Sequence, residues 1–368
     1  MMKVVGIIFF VLMSTCALLG QSVGAEKASA IAPVEALEWQ VDTRTGYRNA
    51  LDYWKKQTEI NRINDDAWLN YYKAQRAILL LADGAFPSKQ HQKELDIIIG
   101  NMANAVPSGY AFQYSNYVNG NKSDESFNYL HQAHQLRPND TNLWDDMLCD
   151  AVLSDDKERI KAWVKQINDA RLFSWAELEY NRNTLNSVEA NGILITNGNV
   201  DTNPLFMLQS EGFRTDVTIV CLDWLNSSRY IHILEAKLKV KPGLVRINDR
   251  VGSFHSVMNQ SISRPVYVGL TVPVDLFSAY SKNLYCTGLA LKHSESQINN
   301  IPSLVYNWEQ LFQRKYANNE ESITKNYLVP AQLLYQHYTQ QGDGTKAEEL
   351  RLFIVQKKSM KAEAYIQR

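Results

Sequence analysis

The residues best suited to chemistry fall in one run, Thr196-Asn197-Gly198-Asn199-Val200-Asp201-Thr202. The side chains of Asn197, Asn199 and Asp201 can hydrogen-bond sugar hydroxyls or chelate a hard cation, because amide and carboxylate oxygens serve both ends. Gly198 lacks the Cβ that would hold a ligand away from the backbone. The same residues also suit a structural role. Asn-Gly makes a turn, Asp201 or Thr202 caps a helix, and Pro204 stands in that helix's first turn. Both readings stay open at this level. The G-x-G-x-x-G spacing of a dinucleotide loop is absent.

Other chemistry-bearing residues are sparser. Glu211-Gly-Phe-Arg214-Thr-Asp216 reads as a helix end at Gly212 returning into a strand. Arg214 and Asp216 there form either an ion pair at the corner or an anion contact. His131 and His134 lie one helical turn apart, a spacing that can hold a metal, but no third ligand accompanies them and they read as a helix face. Asp223-Trp224 can present a carboxylate and an aromatic ring to a sugar, although Trp is more often core. His232, His255 and His293 are scattered, and no nucleophile elbow or ordered triad is visible. No catalytic residue, metal ligand or cofactor is assigned on this basis.

Three kinds of element must carry these residues. From about 41 to 185 the pattern is helical and aromatic, with Ala50, Leu51, Trp54 and then Trp68, Tyr71, Tyr72 recurring at helical spacing. Asn64-Asp65-Asp66 and Asn139-Asp140-Thr141 precede Trp68 and Trp144 and supply N-caps. Ser126, Leu130, Ala133 and Pro138 followed by Trp144 have the spacing of a junction between tetratricopeptide repeats. Ala50, Trp54 and Trp68 echo it with Arg62 in the Pro position, and Tyr110 marks a degenerate middle unit. From 186 to 300, short β-rich runs at 192–196, 216–221, 264–270 and 284–290 alternate with helical stretches at 203–211, 227–238 and 274–281. That order implies βαβ units and a mainly parallel, Rossmann-like sheet. The segment 301–368 returns to helix, with a hairpin turning at Gly342-Asp343-Gly344. The expected fold is therefore α followed by α/β: tetratricopeptide-like helical hairpins, the α/β layer, and a C-terminal helical hairpin.

The 368 residues carry 38 Lys+Arg against 39 Asp+Glu, a balance that argues against a nucleic-acid partner. Length suggests two or three domains at roughly 100–200 residues each. Lys3, the apolar run Val4–Met13 and the small-residue end at Ser22-Val23-Gly24-Ala25 match a secretory signal peptide over 1–25. An uncleaved anchor, or a lipoprotein through Cys16, are the alternatives. Residues 26–40 read as a tether, and no later stretch approaches membrane-spanning length. Cys149, Cys221 and Cys286 would remain after cleavage. An odd count is not a complete disulfide framework, so buried thiols are expected, with a Cys221–Cys286 pair as the alternative.

The run Ala190–Leu205 also resembles a known family. It is similar to the soluble C-terminal region of the protein O-mannosyltransferase-like GT-C membrane glycosyltransferases, whose loop reads approximately T-N-G-D-N-D-T-F-P-L. Thr196, Asn197, Gly198, Asp201, Thr202, Pro204 and Leu205 match, whereas Asn199, Val200 and Asn203 depart. The likeness continues through Gln209, Glu211–Val217, Leu225-Asn226, Arg264-Pro265, Thr271–Pro273 and Gly288–Ala290, covering roughly 185–358. It implies a neighbourhood of envelope glycosylation. The multi-span catalytic domain of that architecture has no counterpart here, so no catalytic residue carries over.

The expectation is an exported, non-catalytic binding protein of the cell envelope. Its helical repeats would hold a protein partner, and Thr196–Thr202 with Arg214 and Asp216 would face a glycan. The alternative is an enzyme that works on a sugar or phosphate substrate through the 196–202 loop.

Overall fold

A computed structural model describes residues 44–83, 87–246, 249–259, 264–312 and 322–359. The leader read at 1–25, with Cys16, and the tether at 26–40 lie outside the described residues. The chain divides into two compact units, described over 44–150 and 151–359. The described residues are mostly helical, with one small mixed sheet.

The first unit holds α1 (Arg44–Ile60), α2 (Asp65–Asp83), α3 (Lys89–Ala105), α4 (Tyr110–Asn119), α5 (Ser126–Leu136) and most of α6 (Trp144–Leu153). Helices α1 and α2 pack as one hairpin and α4 and α5 as another, with α2 also against α4. Fully buried Ala67, Ala74, Ala111 and Ala133 let helix axes approach, and Tyr72, Leu95, Met102 and Leu130 fill the space between them. Two tryptophans close equivalent corners. Trp68 Nε1 donates to the Arg62 carbonyl at 2.8 Å, and Trp144 Nε1 donates to the Pro138 carbonyl at 3.2 Å, each across six residues. The caps repeat as well: Asn64 Oδ1 accepts from the Ala67 amide and Asp140 Oδ1 from the Asn142 amide.

The second unit opens with α7 (Lys157–Asp169) and α8 (Trp175–Asn186). Both α7 and α8 pack on the helix that follows the first strand, in the unit that begins at Ala151. Ser174 starts α8 with a reciprocal cap, its Oγ accepting from the Glu177 amide and its own amide donating to the Glu177 carboxylate.

The sheet then forms from β1 (Ile193–Thr196), β2 (Thr218–Cys221), β3 (Val266–Gly269), β4 (Leu284–Cys286) and β5 (Ala290–His293). Between these strands lie α9 (Asn199–Ser210), α10 (Ser228–Leu238), α11 (Arg250–Asn259) and the short α12 (Val274–Phe277). Strand order is β2-β1-β3-β5-β4. β1 pairs in parallel with both β2 and β3, in register Ile193 with Thr218 and with Val266. β5 then pairs antiparallel with β3 and with β4. The mainly parallel sheet expected from the sequence is thus corrected to a mixed one. The run 284–290, read as a single strand, folds as a hairpin whose turn is set by Gly288. At φ 157° a Cβ on Gly288 would meet Ser187 Oγ at 2.2 Å, while that hydroxyl accepts from the Leu289 amide.

β1 is buried throughout, which explains its unbroken apolar run rather than an alternating one. Leu194, Leu205, Leu208, Ile219 and Tyr267 make the core beneath it. Both sheet edges are closed by side chains. Tyr230 on α10 accepts from the Cys221 amide and donates to the Ile219 carbonyl along β2. Asn300 donates to the Cys286 carbonyl on β4. These bonds occupy edge groups that would otherwise be open to strand pairing. After α13 (Ile301–Tyr306), the antiparallel hairpin of α14 (Leu328–Gln341) and α15 (Gly344–Ser359) ends the described chain. Gly342 takes the left-handed conformation between them, as its turn position requires. Asn183 on α8 donates to the Tyr327 hydroxyl just before α14, tying this segment to α8.

Candidate functional site

Helix α9 starts at Asn199, four residues earlier than the sequence suggested, because Gly198 rather than Asp201 or Thr202 occupies the cap position. Asp201 therefore sits in the first turn. Its carboxylate reaches back to accept from the Asn197 amide at 2.9 Å and the Gly198 amide at 2.8 Å. A third donor, Thr271 Oγ1, comes from the turn after β3. One side chain thus joins the loop after β1 to the loop after β3. Burial pushes the Asp201 carboxyl above the usual carboxylate range, while hydrogen bonds from Asn197, Thr271 and Gly198 pull the other way.

The neighbouring side chains turn inward too. Thr196 and Thr202 hydroxyls meet at 2.7 Å, and Asn199 Oδ1 accepts from Trp224 Nε1 at 2.8 Å. Trp224 is fully buried and stacks on Phe206 with centroids 5.5 Å apart, so it is core and not a sugar platform. Gly198 has an extended backbone that any residue could adopt. The glycine is needed for space, since a Cβ there would lie 2.6 Å from Asp223 Oδ2.

Above these lies a cluster assembled from three segments, in which Asn197 is buried and Arg250 and Asp223 are partly exposed. Arg250 opens α11 and donates to Asn197 Oδ1, while its Nη1 lies 2.9 Å from Asp223 Oδ1. The Asp223 amide donates to the Asn197 carbonyl at 3.0 Å, holding the loops after β1 and β2 together. The Arg250 and Asp223 side chains keep 22% and 13% of their surface, respectively. Donors and acceptors so placed at the carboxyl ends of parallel strands can address hydroxyls or an anionic group. Sequence reasoning named Asp223 but missed Arg250 and Thr271. Neither belongs to a local motif, and their places depend on the crossover that brings β3 beside β1.

Arg214 and Asp216 lie elsewhere, near the opposite ends of the strands. Arg214 Nε donates to Asp216 Oδ1 at 2.9 Å, and its two terminal nitrogens donate to the carbonyls of Leu185 and Glu189. Asp216 Oδ2 also accepts from the Asn191 amide. The Arg214 guanidinium holds the Asp216 carboxyl down at about 2. This corner is an ion pair that organises backbone. In the helical unit, His131 Nε2 meets the buried Asp150 carboxylate at 3.1 Å. Among the described residues no group of three His, Cys, Asp or Glu could hold a metal ion, and no helix is long and apolar enough to cross a membrane. Cys149, Cys221 and Cys286 are buried free thiols, so the alternative Cys221–Cys286 disulfide does not form.

A family profile described as TMEM260-associated domain 2 matches residues 177–250. That span runs from α8 through the whole loop after β1 and ends at Arg250. No curated protein and no solved structure matches the chain.

Proposed function

We propose that this chain is an exported, non-catalytic binding protein of the cell envelope, accessory to glycosylation. The observation that carries the reading is the division of roles at the strand ends. Asp201, Thr196, Thr202 and Asn199 are occupied in fixing one another and the adjacent loops. Arg250 and Asp223 stay partly exposed on top of them, joined to the buried Asn197. A rigid set of donors and acceptors suits recognition of a glycan's hydroxyls. The profile match over 177–250 supports a tie to the mannosyltransferase-like GT-C proteins. We read the sheet unit as Rossmann-like on its parallel β2-β1-β3 core, and α1–α6 as tetratricopeptide-like on the matching Trp68 and Trp144 corners. Such helical hairpins would present a surface to a protein partner.

The full chain, immobilised and exposed to detergent extracts of envelope, tests this. Recovery of a multi-span glycosyltransferase, with capture kept in Asp201→Asn, supports the accessory role. Recovery of unrelated proteins alone counts against it.

A second reading, an enzyme acting on a sugar or phosphate, draws on the raised Asp201 carboxyl, the property wanted in a general acid. Its oxygens face backbone amides, however, and proton delivery would require the loop to open. Turnover of a sugar phosphate that is abolished in Asp201→Asn while the fold persists would establish that reading instead.

A further inference from the structure

The last turn of α10 and the loop that follows it concentrate positive charge on a molecule whose net charge is −1. Lys237, Lys239, Lys241 and Arg246 fall within residues 237–246, and all four are exposed. The acids that flank them are turned inward. Glu235 is buried, and its Oε1 accepts from the amides of Gly243 at 2.7 Å and Val245 at 3.3 Å. Asp249 Oδ1 accepts from the Gly252 amide at 2.7 Å, at the start of α11. The loop is therefore curled around a carboxylate on its inside and studded with cations on its outside. Among the described residues Lys239, Lys241 and Arg246 form no ion pair. Lys237 reaches Asp155 at 3.6 Å, but both side chains are at least half exposed, and such pairs hold weakly.

Two further features bear on the partner. Lys239 ends α10 at φ 57°, a left-handed position that glycine or asparagine takes more readily. A lysine there keeps a charge where the backbone favours none. The segment 235–249 also lacks any aromatic residue, the stacking group that single-stranded nucleic-acid surfaces interleave with their bases. Aliphatic side chains accompany the cations instead: Val240 and Leu244 are half-buried, and Val251 on α11 is 51% exposed. Lysines and arginine beside short aliphatic residues suit the headgroup level of an anionic bilayer.

We propose that the 237–246 segment docks this protein on an anionic lipid surface, with Lys237, Lys239, Lys241 and Arg246 at the level of the phosphates. This inference stands independently of what the Arg250 cluster binds. The test is co-sedimentation of the full chain with vesicles of phosphatidylcholine alone, or of equal parts phosphatidylcholine and phosphatidylglycerol. The expected result is tighter binding to the anionic vesicles, lost as salt shortens the screening length from about 10 Å at 0.1 M to about 3 Å at 1 M. Each base near such a surface contributes roughly fivefold, so Lys239→Gln/Lys241→Gln/Arg246→Gln should weaken anionic binding on the order of 100-fold. The exposed lysines 93, 161 and 165 provide the control, since Lys93→Gln/Lys161→Gln/Lys165→Gln changes net charge equally and should leave binding within about twofold. Equal binding to both vesicle types, or an equal loss in the control, overturns the proposal. So does a preference for a single-stranded oligonucleotide over anionic vesicles at matched phosphate concentration.

Discussion

A buried carboxylate survives only where donors surround it, and Asp201 draws its donors from two amides of its own loop and from Thr271 across the sheet. Asp201→Ala strands the Asn197 and Gly198 amides, at about 1–3 kcal/mol for each unsatisfied buried donor. Equilibrium urea unfolding should show a loss of that size, and a change within experimental error would refute the locking role. The pH dependence has a definite sign. Because its folded pKa is raised, the Asp201 contribution to stability is fully present below the ordinary carboxylate range and declines as pH rises through the folded value. The deficit of Asp201→Asn relative to the natural protein should accordingly shrink as pH increases. Asp216 behaves in the opposite way. Its pKa lies at about 2, so its contribution is present above the unfolded value and vanishes as pH falls through about 2. Denaturation of Asp216→Asn and the natural protein should converge at that acid limit and separate toward neutrality, within the ~1 kcal/mol expected of an exposed pair.

At the scale of elements, side chains at the two edges add to the sheet's own ladders. Tyr230 serves two backbone groups of β2 with one hydroxyl. Tyr230→Phe leaves the buried Cys221 amide without its acceptor, a loss of about 1–3 kcal/mol. Hydrogen exchange should locate the weakening at the Cys221 amide, and unchanged protection there would remove Tyr230 from this role. In the helical unit, the Trp68 and Trp144 indoles close matching corners on the Arg62 and Pro138 carbonyls. Trp68→Phe and Trp144→Phe should each lose about 1 kcal/mol from the hydrogen bond, plus a contribution from the smaller ring. If the corners are equivalent the two losses agree within a factor of about two.

For the molecule as a whole, the thiols report on integrity. Cys149, Cys221 and Cys286 are buried without residual exposure, and burial pushes the Cys286 thiol up to about 12. A bulky disulfide reagent should leave all three unmodified in the native protein at neutral pH and label them on unfolding, as peptide mass mapping would show. Labelling of one thiol well below the unfolding midpoint would reveal local opening of its unit.

The sequence was informative wherever the physics is local. Helix caps at Asn64 and Asp140, the turn at Gly342, the Arg214–Asp216 corner and the buried β1 run follow from a few adjacent residues, because hydrogen bonds within a turn need no distant partner. The split of 284–290 into two antiparallel strands was not legible, since Ser187 Oγ, at the C-terminal cap of α8 about a hundred residues earlier, occupies the space above Gly288. Nor could the fate of the 196–202 loop be read in advance. Its residue types suit ligand binding and self-capping equally, and only the meeting of β1, β2 and β3 decides between them. That meeting turns Asp201 toward Thr271, draws Asn199 onto Trp224, and leaves Arg250 and Asp223 at the surface in their place. Composition and order determine which elements form; long-range pairing determines which polar groups they leave for a partner.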